Sequence, residues 1–221
     1  MSHLKRLAAP KSWNIARKER KFITKNSPGP HKQEQSIPLV VLLRDMLNVV
    51  KNAKESKKIL YEGLVLVNGK KRRKNDFSVG LMDILELPLA KKIYKITISK
   101  KGKLYAEEIE SAKDHLCRIE GKTILEKGKV QLNLFSGENV IVDKDEYKVG
   151  DVIKLSLKDH KLTGNVVLSN GTSALIIGGS HVGQIVTIKG IDKSITPTEV
   201  LLEDAEKKEI RTRLYNVYPI E

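Results

Sequence analysis

The chain has one cysteine, Cys117, in 221 residues. A lone cysteine excludes an intramolecular disulfide and any zinc site built from several cysteines, and it fits a reducing compartment. No basic dyad or helix N-terminus beside Cys117 would lower its pKa, so it reads as a small buried apolar residue, not a catalytic thiol. Long apolar runs are also missing. The longest, Leu39 to Leu43, is far too short to span a bilayer, and the basic N-terminus leads into no signal-peptide core. A cytoplasmic protein with no membrane partner is expected. Acidic residues are scarce in one half only: residues 1 to 103 hold 25 basic and 8 acidic side chains, a net of +17, while the other 118 residues sum to −3. Solubility alone would spread charge evenly, so this asymmetry assigns a polyanion to the N-terminal half.

Catalytic and metal-binding patterns are absent too. His3, His31, His115, His160 and His181 are scattered, without His-x-x-x-His or Cys-x-x-Cys spacing, so a metal site has no framework. Gly178-Gly179 and Gly183 superficially match a phosphate loop, but no Gly-Lys-Ser/Thr follows and the next segment reads as a strand. Asp143, Asp145, Glu146 and Asp151 read as solvated turn carboxylates, with no pair singled out for acid/base work. No catalytic residue, cofactor or metal is expected, and the protein reads as a non-enzyme.

What is present is ordered along the chain. Residues 1 to 36 carry nine basic side chains, Pro10, Pro28 and Pro30, and no sustained apolar period. Such a segment cannot offset its chain entropy alone, so disorder in the free protein is expected. Yet Trp13, Ile15, Phe22 and Ile23 are interleaved with Arg17, Lys18, Arg20 and Lys21, a mixture suited to an arm that folds onto RNA.

From Pro38, Leu39, Leu42, Leu43, Met46, Leu47 and Val50 recur at helical offsets, which predicts an amphipathic helix. A second helix is predicted over 53 to 62, with Asn52 as its cap, Glu55 completing a capping box and Gly63 at the left-handed C-terminal position. Ala53, Ser56, Ile59 and Leu60 would share its inner side, and Lys54, Lys57, Lys58 and Tyr61 another. Leu64 to Val67, then Asn68-Gly69, then Lys70, Lys71, Arg72, Arg73 and Lys74 predict a tight hairpin with a basic second strand. Two-fold alternation would place Lys70, Arg72 and Lys74 on one face and Lys71 and Arg73 on the other. Beyond Ile93 the chain reads as short β-branched strands, at 93–99, 104–109, 130–135, 140–142, 152–157, 166–168, 174–177 and 184–189, for which small barrels are the expected solution.

Asn52 to Gly69, NAKESKKILYEGLVLVNG, resembles the alpha-L RNA-binding module shared by small-subunit ribosomal protein four, several pseudouridine synthases and tyrosyl-tRNA synthetases. Val79-Gly80-Leu81-Met82-Asp83-Ile84 is similar to that module's later element, where most members carry Val-Gly-Asp. The inserted Leu-Met is the form of the archaeal and eukaryotic "e-type" branch of small-subunit ribosomal protein four. The arm from His3 through Ser12-Trp13 to Ser27-Pro28-Gly29-Pro30-His31, the central Gly121-Lys122 and Gln131-Leu132-Asn133-Leu134, and Gly183 with Val186 and Gly190, similar to a KOW motif, resemble the same branch. Without a long C-terminal extension, an archaeal member is the expectation.

The resemblance implies an α+β, multi-domain protein: a basic arm over 1–36, an alpha-L module over 37–92, a central β domain over 93–170 and a Src-homology-3-like KOW barrel over 171–221. It implies a structural constituent of the small ribosomal subunit, with small-subunit rRNA and neighbouring ribosomal proteins as partners and no homo-oligomer. The candidate RNA contacts are Lys5, Arg6, Lys11, Trp13, Arg17, Lys18, Arg20 and Lys21 on the arm, Lys54, Lys57 and Lys58 on the helix, and Lys70 to Lys74 on the hairpin, with Asn68, Gly69 and Gly183 as structural turns. Two other readings stay open: an RNA-modifying enzyme using the module for delivery, for which only about 70 to 80 residues remain, and a transcription factor using the KOW segment.

Overall fold

The computed structural model describes residues 3–192, 197–204 and 206–220, so the first two residues of the arm and part of the 171–221 segment lie outside the described residues. The chain is mostly β with few helices, and it divides into two compact units: residues 1–97, 103–115 and 157–159, and residues 98–102, 116–156 and 160–221.

In the first unit the strands Lys70–Lys71, Leu66–Val67, Ile84–Leu87, Lys92–Ile98 and Leu104–Ile109 lie side by side in that order. The hairpin between the first two turns at Asn68 and Gly69, with φ of 51° and 76°. These values suit Asn-Gly, because both central residues of such a turn need positive φ. Gly69 has a second reason to lack a side chain, since a Cβ there would overlap the Leu157 carbonyl. The helix Ala53–Tyr61 is capped by the Asn52 side chain, which accepts from the Glu55 backbone N–H at 2.9 Å. Its Ser56 and Leu60 are buried, while Lys54, Lys57, Lys58 and Tyr61 are exposed. The polar face is solvated and the apolar face packs inward, as the 3.6-residue period requires.

Two expectations for this unit are corrected. The helix predicted from Pro38 through Val50 is only one α-turn, Leu39–Val41, and one π-turn, Leu42–Met46. It ends because Asn48 is left-handed, with φ 52°, and the Val49 N–H returns to the Leu43 carbonyl. The arm, expected to be disordered in the free protein, packs onto the rest of its unit. Leu4–Lys5 pairs with Phe22–Ile23, Trp13 bridges to Leu104, and the Trp13 indole N–H donates to the Ser36 carbonyl at 2.7 Å. Burial of Trp13, Ile23 and Ala9 supplies the apolar contact that periodicity did not reveal, because the arm packs through isolated side chains and has no amphipathic face.

The second unit holds two five-stranded sheets. One orders Asn139–Val142, Val130–Leu134, Asp114–Ile124, Val152–Ser156 and Leu162–Val166. Its core includes Cys117, Ile119, Leu132, Ile153 and Leu155. The other orders Glu209–Arg213, Glu199–Glu203, Ile185–Asp192, Ser173–Ile176 and Val217–Pro219 over Ala174, Ile176, Val186, Ile188, Val200 and Leu202. Gly183 precedes the long strand at φ 78°, and a Cβ there would lie 2.6 Å from the Lys100 nitrogen and overlap the Ser99 carbonyl.

Candidate nucleic-acid interface

The hairpin turn is anchored by a buried carboxylate. Asp83 accepts hydrogen bonds from the Asn68 side-chain amide at 2.8 Å, the Gly80 backbone N–H at 2.7 Å and His31 Nε2 at 3.0 Å, and His115 Nε2 lies 3.6 Å away. The Asn68 amide oxygen in turn accepts the Ile84 N–H at 2.8 Å. A Cβ at Gly80 would overlap the His31 ring, so the glycine lets the imidazole reach the carboxylate. Burial alone would raise the Asp83 pKa, but His31, His115 and the Asn68 amide favour its charged form and hold it below the ordinary carboxylate value. The sequence placed Asn68 and Asp83 in the earlier and later elements of one module and His31 in the arm; nothing in their spacing showed that the three meet.

This anchor fixes the basic hairpin beside the basic helix. The position of a Cβ at Gly63, just past the helix, lies 3.5 Å from the Lys71 side chain, so hairpin and helix end are neighbours. Lys54, Lys57, Lys58, Lys70, Lys71, Arg73 and Lys74 are all exposed. Arg72 is different: its guanidinium lies over the Phe77 ring, 4.4 Å from the centroid, and is only partly exposed. The strand pairing of Leu66 with Lys71 and Val67 with Lys70 is extended by the Arg72 N–H, which donates to the Val65 carbonyl at 3.1 Å in the same register, so the hairpin pairing reaches Arg72.

On the arm, Lys5, Lys11, Lys18, Arg20 and Lys21 are exposed. Two of the predicted contacts lie inside the protein. Arg6 and Trp13 are each 1% exposed, and Arg6 donates to the Ala16 carbonyl at 2.6 Å and to Asp45 at 3.1 Å. Arg17 is intermediate: its guanidinium donates to the Ala9 and Pro10 carbonyls at 2.7 and 2.8 Å. These three side chains hold the arm in shape, and the surrounding lysines face solvent.

Among the described residues, no cluster of three or more His, Cys, Asp or Glu is placed to hold a metal ion. Among the same described residues, no helix is long and apolar enough to cross a membrane.

Fold and surface together define a basic, mostly β protein that concentrates exposed cations on one helix, one hairpin and one arm. A model of the Ribosomal family S4e matches residues 90–162, and a model of the RS4NT (NUC023) domain matches residues 2–34. The small ribosomal subunit protein eS4 of Methanococcus aeolicus is 40% identical over 219 residues, covering 95% of this chain and 90% of the relative. That of Methanosphaera stadtmanae is 44% identical over 210 residues, covering 92% of this chain and 86% of the relative. The crystal structure of the 30S ribosomal protein S4e from Thermoplasma acidophilum superposes with a TM-score of 0.71 at 32% identity, covering 84% of this chain and 95% of that one. The chain belongs to the ribosomal S4e family, whose matching relatives are named as ribosomal proteins and not as enzymes.

Proposed function

We propose that this protein is a structural constituent of the small ribosomal subunit that binds rRNA and stabilises its fold during assembly. The observation that carries the reading is the solvated group of Lys54, Lys57, Lys58, Lys70, Lys71, Arg73 and Lys74, held on a helix and a hairpin that meet at Gly63 and Lys71. Fixed cations release condensed counterions when they meet phosphates, and modules of defined shape then select a structured RNA. The exposed lysines and arginine of the arm extend that surface. Neighbouring ribosomal proteins are the other partners, the protein acts as a single copy, and its place is the cytoplasmic ribosome.

Within this reading, residues 1–36 are the RNA-binding arm, 37–92 an alpha-L module, 93–170 a central β domain and 171–221 a KOW barrel of the Src-homology-3 type. The tight approach of Gly183 to Ser99 and Lys100, and the register shift between Ile188 and Gly190, support a barrel-like bend in the last segment. The test is sedimentation. Stoichiometric migration of tagged protein with 30S particles in high-salt gradients is the expected result. Free or substoichiometric protein would favour a factor or enzyme that visits RNA and would overturn the proposal.

A further inference from the structure

The arm's tryptophan is buried, so the aromatic ring that the arm turns to solvent is Phe22, at 51% exposure. A single exposed apolar side chain is ordinary and says nothing alone. The surroundings of Phe22 are less ordinary. In the two-stranded ribbon Leu4–Lys5 and Phe22–Ile23, Ile23 faces inward opposite Leu4, and Phe22 faces outward opposite Lys5. Directly opposed residues of an antiparallel pair share a face, which puts Lys5 on the same face of the ribbon as the ring. The Lys21 Nζ stands 5.5 Å from the ring centroid, and the His3 ring lies 5.6 Å away, tilted by 53°. The ribbon is continued by the Arg6 N–H, which donates to the Lys21 carbonyl at 2.9 Å, so the ring sits on a fixed support.

We propose that Phe22, flanked by Lys5, Lys21 and His3, is a stacking platform for an unpaired base of the bound RNA. The inference rests on the RNA-binding reading above and narrows the partner to RNA with a loop, bulge or single-stranded end. An aromatic ring offers a face to any base, and the flexible lysines around it, Lys21 standing over the ring, meet the phosphates on either side of that base. A fully paired duplex offers no free base face, so it gains only the charge contacts.

The test uses the full chain and two RNA probes with equal numbers of phosphates, a hairpin whose loop carries 2-aminopurine and a blunt duplex. Phe22→Leu and Phe22→Ala should weaken hairpin binding by roughly five- to hundred-fold, and Phe22→Trp should restore it. Duplex binding should not change. The slope of log affinity against log salt should stay at the wild-type value, because no phosphate contact is lost. Wild-type protein should quench 2-aminopurine, and the Phe22→Leu variant should not. Leu7→Ala, at another exposed apolar residue of the same arm, should bind as wild type. Wild-type hairpin affinity in Phe22→Leu, or an equal loss in Leu7→Ala, would overturn the stacking site. If Lys5→Ala and Lys21→Ala still lowered affinity, the RNA-binding reading would survive that result. If no arm, helix or hairpin variant changed binding, that reading would fall with it.

Discussion

Asn68 and Asp83 are joined by a hydrogen bond of 2.8 Å between the amide of a positive-φ turn residue and a buried carboxylate. Through this pair the conformation of the basic hairpin depends on a residue fifteen positions along the chain. Removing Asp83 leaves the Asn68 amide, the Gly80 N–H and His31 without their carboxylate. Asp83→Ala should therefore lower stability by about 3 to 5 kcal/mol, measured by urea denaturation. Asp83→Asn should cost less, since its side-chain oxygen still accepts. Equal, small effects of both would show that the carboxylate is not the anchor.

The same carboxylate sets an acid limit. Its folded-state pKa lies below the ordinary 3.8, so the charged form is favoured by folding. The stabilisation is fully present above the unfolded value and is lost as pH falls through the lower folded value. Wild-type protein should lose stability from about pH 5 downward, and Asp83→Asn should show a shallower acid limb over that window. Parallel pH profiles for the two would contradict this assignment.

Two glycines separate backbone strain from crowding. Gly171 has φ 88° with open space where a Cβ would stand, whereas Gly183 has φ 78° and meets the backbone of Ser99 and Lys100. Gly171→Ala should cost about 1 to 2 kcal/mol for the left-handed conformation alone. Gly183→Ala should cost about 2 kcal/mol more, with Gly183→Val worse still, and melting curves would rank them. Equal melting temperatures for the two alanine variants would remove the close approach from the account.

Much of the first unit was legible because its signals are local. Asn52 and Gly63 act within one helix and Asn68-Gly69 fixes its own turn, although Glu55, expected to close a capping box on Asn52, accepts the Lys51 N–H instead. The boundary at Asn48 was not legible, because apolar spacing continued past the point where the backbone turned left-handed. Nor was the second unit's strand Asp114–Ile124, whose Asp, Arg, Glu and Lys mask an inner face of His115, Cys117 and Ile119. The strands Glu199–Glu203 and Glu209–Arg213 were hidden in the same way. Leu162–Val166 contains Thr, Gly and Asn, and pairing with Val152–Ser156 decides its state over propensity. For the candidate interface, sequence located the cations but could not see that Arg6, Arg17 and Trp13 are spent on the arm's own packing.

Arg118 illustrates a long-range contact of the second unit that no pattern announces. Its guanidinium donates to the Tyr215 and Val217 carbonyls at 2.8 and 2.9 Å and lies 5.2 to 5.6 Å from the Phe135, Tyr215 and Tyr218 ring centroids. Arg118→Ala should destabilise this unit by about 3 kcal/mol or more. Arg118→Lys should recover only part, since an ammonium cannot reproduce the planar fork. Differential scanning calorimetry would register the loss, and an unchanged transition would refute it.

The central claim, that the helix and hairpin cations form one phosphate-binding surface, is tested most directly by the salt dependence of rRNA affinity. Lys54, Lys57, Lys58, Lys70, Lys71, Arg73 and Lys74 should each, on change to Ala, leave the melting temperature nearly unmoved, because exposed charges contribute little to stability. Each lost contact should flatten the slope of log affinity against log salt by roughly 0.7 to 0.9. Arg72→Ala should also lower stability, since it uncovers Phe77. Lys207→Ala and Lys208→Ala, in the acidic half, should change neither affinity nor slope. Wild-type affinity and slope in the helix and hairpin variants, with weakened binding in the Lys207 and Lys208 controls, would contradict the account.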